Sequence, residues 1–346
     1  MGVFLSHLYH FNYFGLPEGT HRLIDCWGST GVSIFFVLSG FVLYLNYPFE
    51  HCRARTFYVA RFARIYPAYF LALLASVPLE LSSPTKTHDL VAFFAVLLLV
   101  HQYFPLTDGR YNDVGWTLGV EAFFYALFPP IILAFVRDKA WRAILLCIGA
   151  LVLGWVIRAG ASPDSLYFGH RFPPNRLFEF ALGIAGAACG LRQMAATPSP
   201  HARSLWLGIF AAATLVLLFV PACFSAPDAV ILPSYVVSGI AALALILAIA
   251  RLEHAHFTFS WLASDTAVVA GEISYAFYLY HNLVLRYLSH GLSRFGHPLL
   301  SFPAAEQIAL AVLALGITIW LSYESFRRFE QPARKFLRHQ LSPSQE

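Results

Sequence analysis

The feature that most constrains this chain is a succession of apolar runs, many long enough to cross a bilayer, separated by short stretches of Pro, Gly and polar residues. Eleven such runs lie near 1–15, 30–47, 64–82, 89–104, 116–136, 141–158, 175–191, 204–223, 234–251, 266–289 and 304–326. A helix needs about 20 mostly apolar residues to cross roughly 30 Å of hydrocarbon. The chain is 58% hydrophobic and only 12% charged, against about 25% charged in ordinary soluble domains. A water-facing surface could not cover that much apolar side chain, so most of it must face lipid or other helices. The expectation is an all-α, polytopic membrane helical bundle of about ten transmembrane helices. Residues 1–335 form the membrane domain and 336–346 a cytoplasmic tail.

Charge gives the orientation. Arg53, Arg55, Arg61 and Arg64 cluster after the second run, and Arg327, Arg328, Arg334, Lys335 and Arg338 cluster near the end. Cytoplasmic flanks carry the excess of Lys and Arg, so both clusters are expected in the cytoplasm, including the C-terminus. The net charge of +4 is accounted for in this way, with no nucleic-acid partner implied. Nine full crossings between the clusters would put them on opposite sides, so one run is expected to be re-entrant or interfacial. The group Arg137, Lys139 and Arg142 points to 89–104, or to the run opening at Trp116. The opening stretch has no basic flank and is short for a span, which argues against a signal peptide and for a truncated first helix. Five scattered cysteines at 26, 52, 147, 189 and 223, with no CxxC, indicate neither a disulfide framework nor a zinc site. No internal repeat is visible.

Ionisable side chains inside apolar runs cost about 2.5–3.5 kcal/mol each at mid-helix, so they persist where they face a cavity or a partner. His7 and His10 lie three residues apart on one helical face. A neutral imidazole there can take a proton from a hydroxyl, or simply hydrogen-bond a neighbouring helix. Arg61 and Arg64 share a face at the start of a span, ahead of Tyr66. Paired guanidiniums suit phosphates; they also suit plain anchoring at the cytoplasmic boundary. Glu121, five residues after Trp116, is a carboxylate in an apolar run. It can orient a histidine, accept a proton, or pair with an arginine. Ser274, Tyr278 and His281 make one polar stripe along an otherwise apolar helix, suited to lining a cavity or to binding another helix. Arg171, Arg176 and Glu179 are further candidates, whereas Asp108, Asp113, Asp164 and Glu253 read as loop residues.

Read in order, GVSIFFVLSGFV at 31–42, RFARIYPAY at 61–69, WTLGVEAFFY at 116–125, GEISYAFYLYH at 271–281 and Glu330-Gln331-Pro332 closely resemble the acyltransferase family 3 proteins of bacterial inner membranes. Each motif is weak alone, and five in sequence are specific. The resemblance implies a membrane-bound O-acyltransferase that carries an acyl group, often acetyl, from cytoplasmic acyl-CoA to a hydroxyl of a cell-surface or lipid-linked carbohydrate. It implies acyl-CoA as donor substrate with no bound cofactor or metal, and membrane lipids as surroundings. The family's essential histidine matches His7, its Arg-x-x-Arg motif matches Arg61 and Arg64, and its Trp-(Ser/Thr)-Leu-x-x-Glu motif matches Trp116 and Glu121. His7 and Glu121 are the expected catalytic residues. Arg61, Arg64, Tyr66, Trp116, Tyr278 and His281 are the expected donor- or substrate-binding residues. The family also pairs its histidine with an upstream arginine, at a distance that here runs off the start of the chain. A flippase or transporter of lipid-linked sugars, or a catalytically inactive homologue, would explain the same spans and charges without chemistry; the first would bring internal symmetry, which is not seen.

Overall fold

A computed structural model describes residues 2–11, 13, 21–82, 90–107, 109–137, 139–160, 170–190, 200–223, 231–254 and 264–341. The elements are helices and helical turns, and no strand occurs among the described residues. The helices are α1 (Gly2–His10), α2 (His21–Asn46), α3 (Ala54–Leu81), α4 (Leu90–Leu97), α5 (Trp116–Pro130), α6 (Ala140–Gly160), α7 (Leu177–Gly190), α8 (Pro200–Cys223), α9 (Ile231–His254), α10 (Asp265–Arg294), α11 (Ala304–Ser325) and α12 (Gln331–Leu341). One π-helical turn, Ile131–Val136, extends α5, and another, Phe326–Glu330, joins α11 to α12. Helix therefore continues across residues 336–341.

Seven of these stretches are long and apolar enough to cross a membrane. The chain is thus an all-α, multi-pass membrane protein. In hydrocarbon every backbone polar group must be satisfied within the segment, which leaves helix as the way to cross. The two regions singled out for the parity problem behave differently. The run at 89–104 yields only the eight-residue α4, about 12 Å long, before the backbone turns at Leu99 (φ 60°) and continues as 3₁₀ turns. The run opening at Trp116 belongs to a candidate span over Asp113–Val136.

The chain divides into two compact units. The first contains Met1–His21, Ala54–Gly119 and Trp261–Glu346. Here α1 docks on α10 and α11 through Phe4, Leu8, Tyr13, Val284, Leu285, Leu299, Ala311 and Ala314. The Tyr13 hydroxyl donates to the Leu285 carbonyl at 3.3 Å. Ser264 caps α10 by accepting from the Ala267 amide, which satisfies one of the orphan donors of that helix end.

The second unit contains Arg22–Arg53 and Val120–Ser260. Lipid tails are as apolar as Leu, so helices in a bilayer associate by close packing and polar contacts. Small residues carry this on α2 and α7. A Cβ on Gly40 would run into the Phe180 carbonyl, and one on Gly183 into the Val37 carbonyl. Beside this crossing, Phe124 stacks on Phe180 with centroids 4.6 Å apart, and its other neighbour Phe36 meets it edge-on at 5.2 Å. Val37, Leu217, Ala241 and Ala242 close a second patch between α2, α8 and α9.

Candidate active site

In the first unit α10 is the spine of a polar column. Its side chains reach four other segments in turn. The Tyr275 hydroxyl donates to the Ile65 carbonyl of α3 at 2.9 Å. The Tyr278 hydroxyl donates to the Val114 carbonyl (3.1 Å) and accepts from Thr117 (3.0 Å) at the start of α5. His281 meets His7 of α1. Asn282 donates to the Asn112 side chain at 3.1 Å, and Asn112 donates to the Leu279 carbonyl at 2.9 Å. A turn further on, Arg286 donates to the Tyr111 carbonyl.

The histidine pair is the chemical centre of this column. His7 and His281 have ring centroids 5.0 Å apart, with Nδ1 of His7 3.3 Å from Nε2 of His281. Nδ1 of His7 also lies 2.9 Å from the Val3 carbonyl, and Nδ1 of His281 lies 3.2 Å from the Phe277 carbonyl. A carbonyl only accepts, so both Nδ1 atoms carry hydrogen in neutral rings. Nε2 of His281 is then a lone pair that accepts from His7, and Nε2 of His7 is the basic nitrogen of its ring. One tautomer assignment satisfies all three contacts; it is inferred from the network, as histidine protons must be. His281 is buried, stacked on Phe277 and edge-on to Phe4, with centroids at 6.0 and 6.2 Å. His10 is exposed, its ring 6.2 Å from that of His7. Among the described residues no group of three or more His, Cys, Asp or Glu is placed to hold a metal ion.

The arginine pair sits at one end of α3. Arg64 is exposed and Arg61 half-buried, with its guanidinium 5.9 Å from the centre of the Phe57 ring. Tyr66 stacks between Phe62 and Phe70 and donates to the Leu97 carbonyl at 3.3 Å. Tyr275, which reaches Ile65, is six residues from His281, about 9 Å along the axis of α10. Trp116 is buried at the first turn of α5. The preceding Gly115 adjoins Tyr69 of α3, where an added Cβ would make ordinary van der Waals contact with the ring at 3.5 Å. His7, His281, Tyr278 and the turn carrying Trp116 therefore surround one stretch of α10, with Arg61, Arg64 and Tyr66 on the adjoining helix α3.

Ser274 does not join them: it is exposed, and its hydroxyl turns back to the Gly271 carbonyl of its own helix at 2.7 Å. Glu121 lies in the second unit, buried, and accepts from the Tyr125 hydroxyl one turn along α5. Cys52, in the link between α2 and α3, is buried, and burial pushes its thiol up, away from a reactive thiolate.

Two buried charge clusters lie apart from these residues; Arg176 and Glu179 of the second were further candidates, and the first was not expected. In the first unit Glu80 accepts from the Arg110 side chain and from the Tyr111 amide (3.1 Å). Asp113, read from sequence as a loop residue, is half-buried in the turn that opens α5. Asp108 and Asp164 lie outside the described residues, and Glu253 is exposed. In the second unit Arg176, fully buried, pairs with Glu179 (2.6 and 3.1 Å), donates to Ser33 (3.4 Å), and lies over the rings of Tyr235 (3.9 Å) and Phe36 (5.1 Å). Arg176 is a core residue, and Arg171 is half-buried. Arg and Glu three residues apart at 176 and 179, beginning an apolar helix, were the sequence signal for this pair. Glu80 and Arg110, thirty residues apart, left none.

Fold and site together define a multi-pass membrane protein in which a histidine pair joins two helices. Comparison with known proteins supplies the family. The acyltransferase domain family matches residues 1–323, and the chain belongs to that family. It is 30% identical over 348 residues to the acyltransferase MdmB of Streptomyces mycarofaciens, covering 92% of this chain and 84% of that protein. It is 25% identical over 338 residues to the peptidoglycan O-acetyltransferase OatA of Listeria monocytogenes, covering 89% of this chain and 51% of that one. The exopolysaccharide production protein ExoZ of Rhizobium meliloti is 30% identical over 164 residues, 45% of this chain and 49% of ExoZ. No solved structure matches. The protein is an acyltransferase, of the kind that moves groups other than aminoacyl groups.

Proposed function

We propose that this protein transfers an acyl group, acetyl in the simplest case, from cytoplasmic acyl-CoA to a hydroxyl of a cell-surface or lipid-linked carbohydrate, in the inner membrane of a bacterium with its C-terminus in the cytoplasm. The observation that carries this reading is the contact of His7 Nδ1 with the Val3 carbonyl and with His281, from which the tautomer follows. With its Nδ1 hydrogen committed to Val3 and His281, the ring offers Nε2 as a base. The acceptor hydroxyl gives its proton to that nitrogen, and its oxygen attacks the thioester carbonyl. The C–S bond breaks, an ester forms, and the CoA thiolate leaves as thiol with the proton returned from His7. Positioned general-base catalysis of this kind contributes about 10²–10⁴-fold.

Arg61 and Arg64 hold the donor's phosphates, Tyr66 and Trp116 flank it, and Tyr278 supports the turn that carries Trp116. Glu121, in the second unit, is the second residue for which we propose a catalytic role. Two relatives, one a peptidoglycan O-acetyltransferase and one an exopolysaccharide production protein, favour a glycan acceptor.

The test is acetyl transfer by the purified full chain in lipid nanodiscs, read as thiol release from radiolabelled acetyl-CoA and label gained by N-acetylglucosamine oligosaccharides or a bacterial glycolipid extract. The expected result is transfer by the parent and its loss in His7→Ala at equal protein level. Transfer by His7→Ala at the parent's rate would remove the histidine from the chemistry. Absence of both thiol release and labelled glycan with the parent would overturn the donor and acceptor together.

A further inference from the structure

The structure assigns to His281 a different task from donor binding: we infer that it is the positioning residue of His7, holding the base in its working tautomer and stabilising the imidazolium that forms when His7 takes the proton. This rests on the reading of His7 as general base.

The geometry leaves His281 little else to do. Its Nδ1 hydrogen is spent on the Phe277 carbonyl of its own helix at 3.2 Å. That fixes Nε2 as an acceptor, and Nε2 faces Nδ1 of His7 at 3.3 Å. The ring is pinned against rotation by Phe277 on one face and the edge contact of Phe4, and it is 1% exposed. A side chain so enclosed is poorly placed to meet an incoming coenzyme, but well placed to meet another side chain.

His7 itself rides on α1. That helix is docked against the α10 segment carrying His281, through Phe4, Leu8 and Val284, and the docking sets the orientation of His7. When Nε2 of His7 gains a proton, the positive ring has two acceptors waiting on its Nδ1 hydrogen: the Val3 carbonyl and Nε2 of His281. An acceptor behind a catalytic imidazole selects the tautomer and favours the charged form, a role a buried carboxylate fills in serine hydrolases. Here a neutral imidazole fills it, which spares this buried contact a second full charge.

The experiment is steady-state thiol release from acetyl-CoA by the full chain in nanodiscs, for His281→Leu, His281→Gln and His281→Ala, each beside His7→Gln. His281→Leu is expected to lower kcat roughly 10- to 100-fold, the usual effect of removing a group that orients another, with KM for acetyl-CoA unchanged. His281→Gln, whose Oε1 falls near the place of Nε2, is expected to recover most of kcat. His281→Ala should recover activity with added imidazole. A rise in KM for acetyl-CoA at unchanged kcat would make His281 a donor-binding residue and overturn the inference. So would equal losses in His281→Leu and His281→Gln with no imidazole rescue, which is the pattern of a structural role. An inactive His7→Gln beside a fully active His281→Leu refutes this inference alone. A fully active His7→Gln refutes the underlying base assignment.

Discussion

The buried Arg176–Glu179 pair makes the sharpest stability prediction. Arg176 is 0% and Glu179 1% exposed. Two hydrogen bonds join them, at 2.6 and 3.1 Å, and the guanidinium lies 3.9 Å above the centre of the Tyr235 ring. Replacing Arg176 by Met keeps most of the volume but leaves the Glu179 carboxylate buried without its cation. Breaking one side of a buried pair costs about 3–5 kcal/mol. The lost cation–π contacts push toward the upper end of that range, each being worth about 0.5–2 kcal/mol. At about 2–4 °C per kcal/mol for a unit of 150–250 residues, Arg176→Met should melt roughly 6–20 °C below the parent. The double variant Arg176→Met/Glu179→Leu removes both charges and should regain most of the loss, because replacing a whole buried pair with apolar residues is often neutral. The assay is tryptophan-fluorescence melting in detergent, with size-exclusion chromatography to confirm monodisperse protein. A double variant that falls by the sum of the two single losses would refute this, since the destabilisation would then come from lost packing and not from a stranded charge.

Two other outcomes follow from the packing. Gly183→Ala should cost about 1–3 kcal/mol, the range for overpacking, because its new methyl would overlap the Val37 carbonyl. Gly149→Ala, with nothing within 4 Å of an added Cβ, should be stabilising by about 0.5–1 kcal/mol; the two melting points in one detergent check the contrast. Asn282→Leu strips the Asn112 carbonyl oxygen of its donor and should cost about 1–3 kcal/mol, read as a lower midpoint in the same melt.

Much of the site was legible because helical spacing survives in sequence. Tyr278 and His281 are three residues apart on α10, so a polar stripe could be seen before any coordinates. The Arg61/Arg64 pair stood out for the same reason, His7 as an ionisable group in an apolar run, and Trp116 through the family motif that it opens. What could not be read is which stripe faces which. His7 and His281 are 274 positions apart, and no periodicity links them. Hydropathy also cannot see the backbone turning at Leu99, because the residues from 90 to 100 are apolar on both sides of the turn. Asp113 read as a loop residue, yet it is half-buried, and the neighbouring Asn112, for which spacing gave no signal, is buried and bonded to α10. Glu121 stood out as a lone carboxylate, but its nearest answer, Tyr125, was four residues away on the same helix.

The crossing of α2 and α7 has a mechanical consequence. Where side chains mediate a contact, rotamers can change and the helices can creep past each other. At Gly40 and Gly183 main chain meets main chain, and a carbonyl locked into a helical ladder cannot step aside. Advancing either helix by a residue would swing Ser39 or Phe41, Leu182 or Ile184, into the gap that hydrogen atoms now fill. The two helices are therefore indexed like meshed gear teeth. Any movement that accompanies turnover in this unit must carry them together, with the slack taken up at other seams.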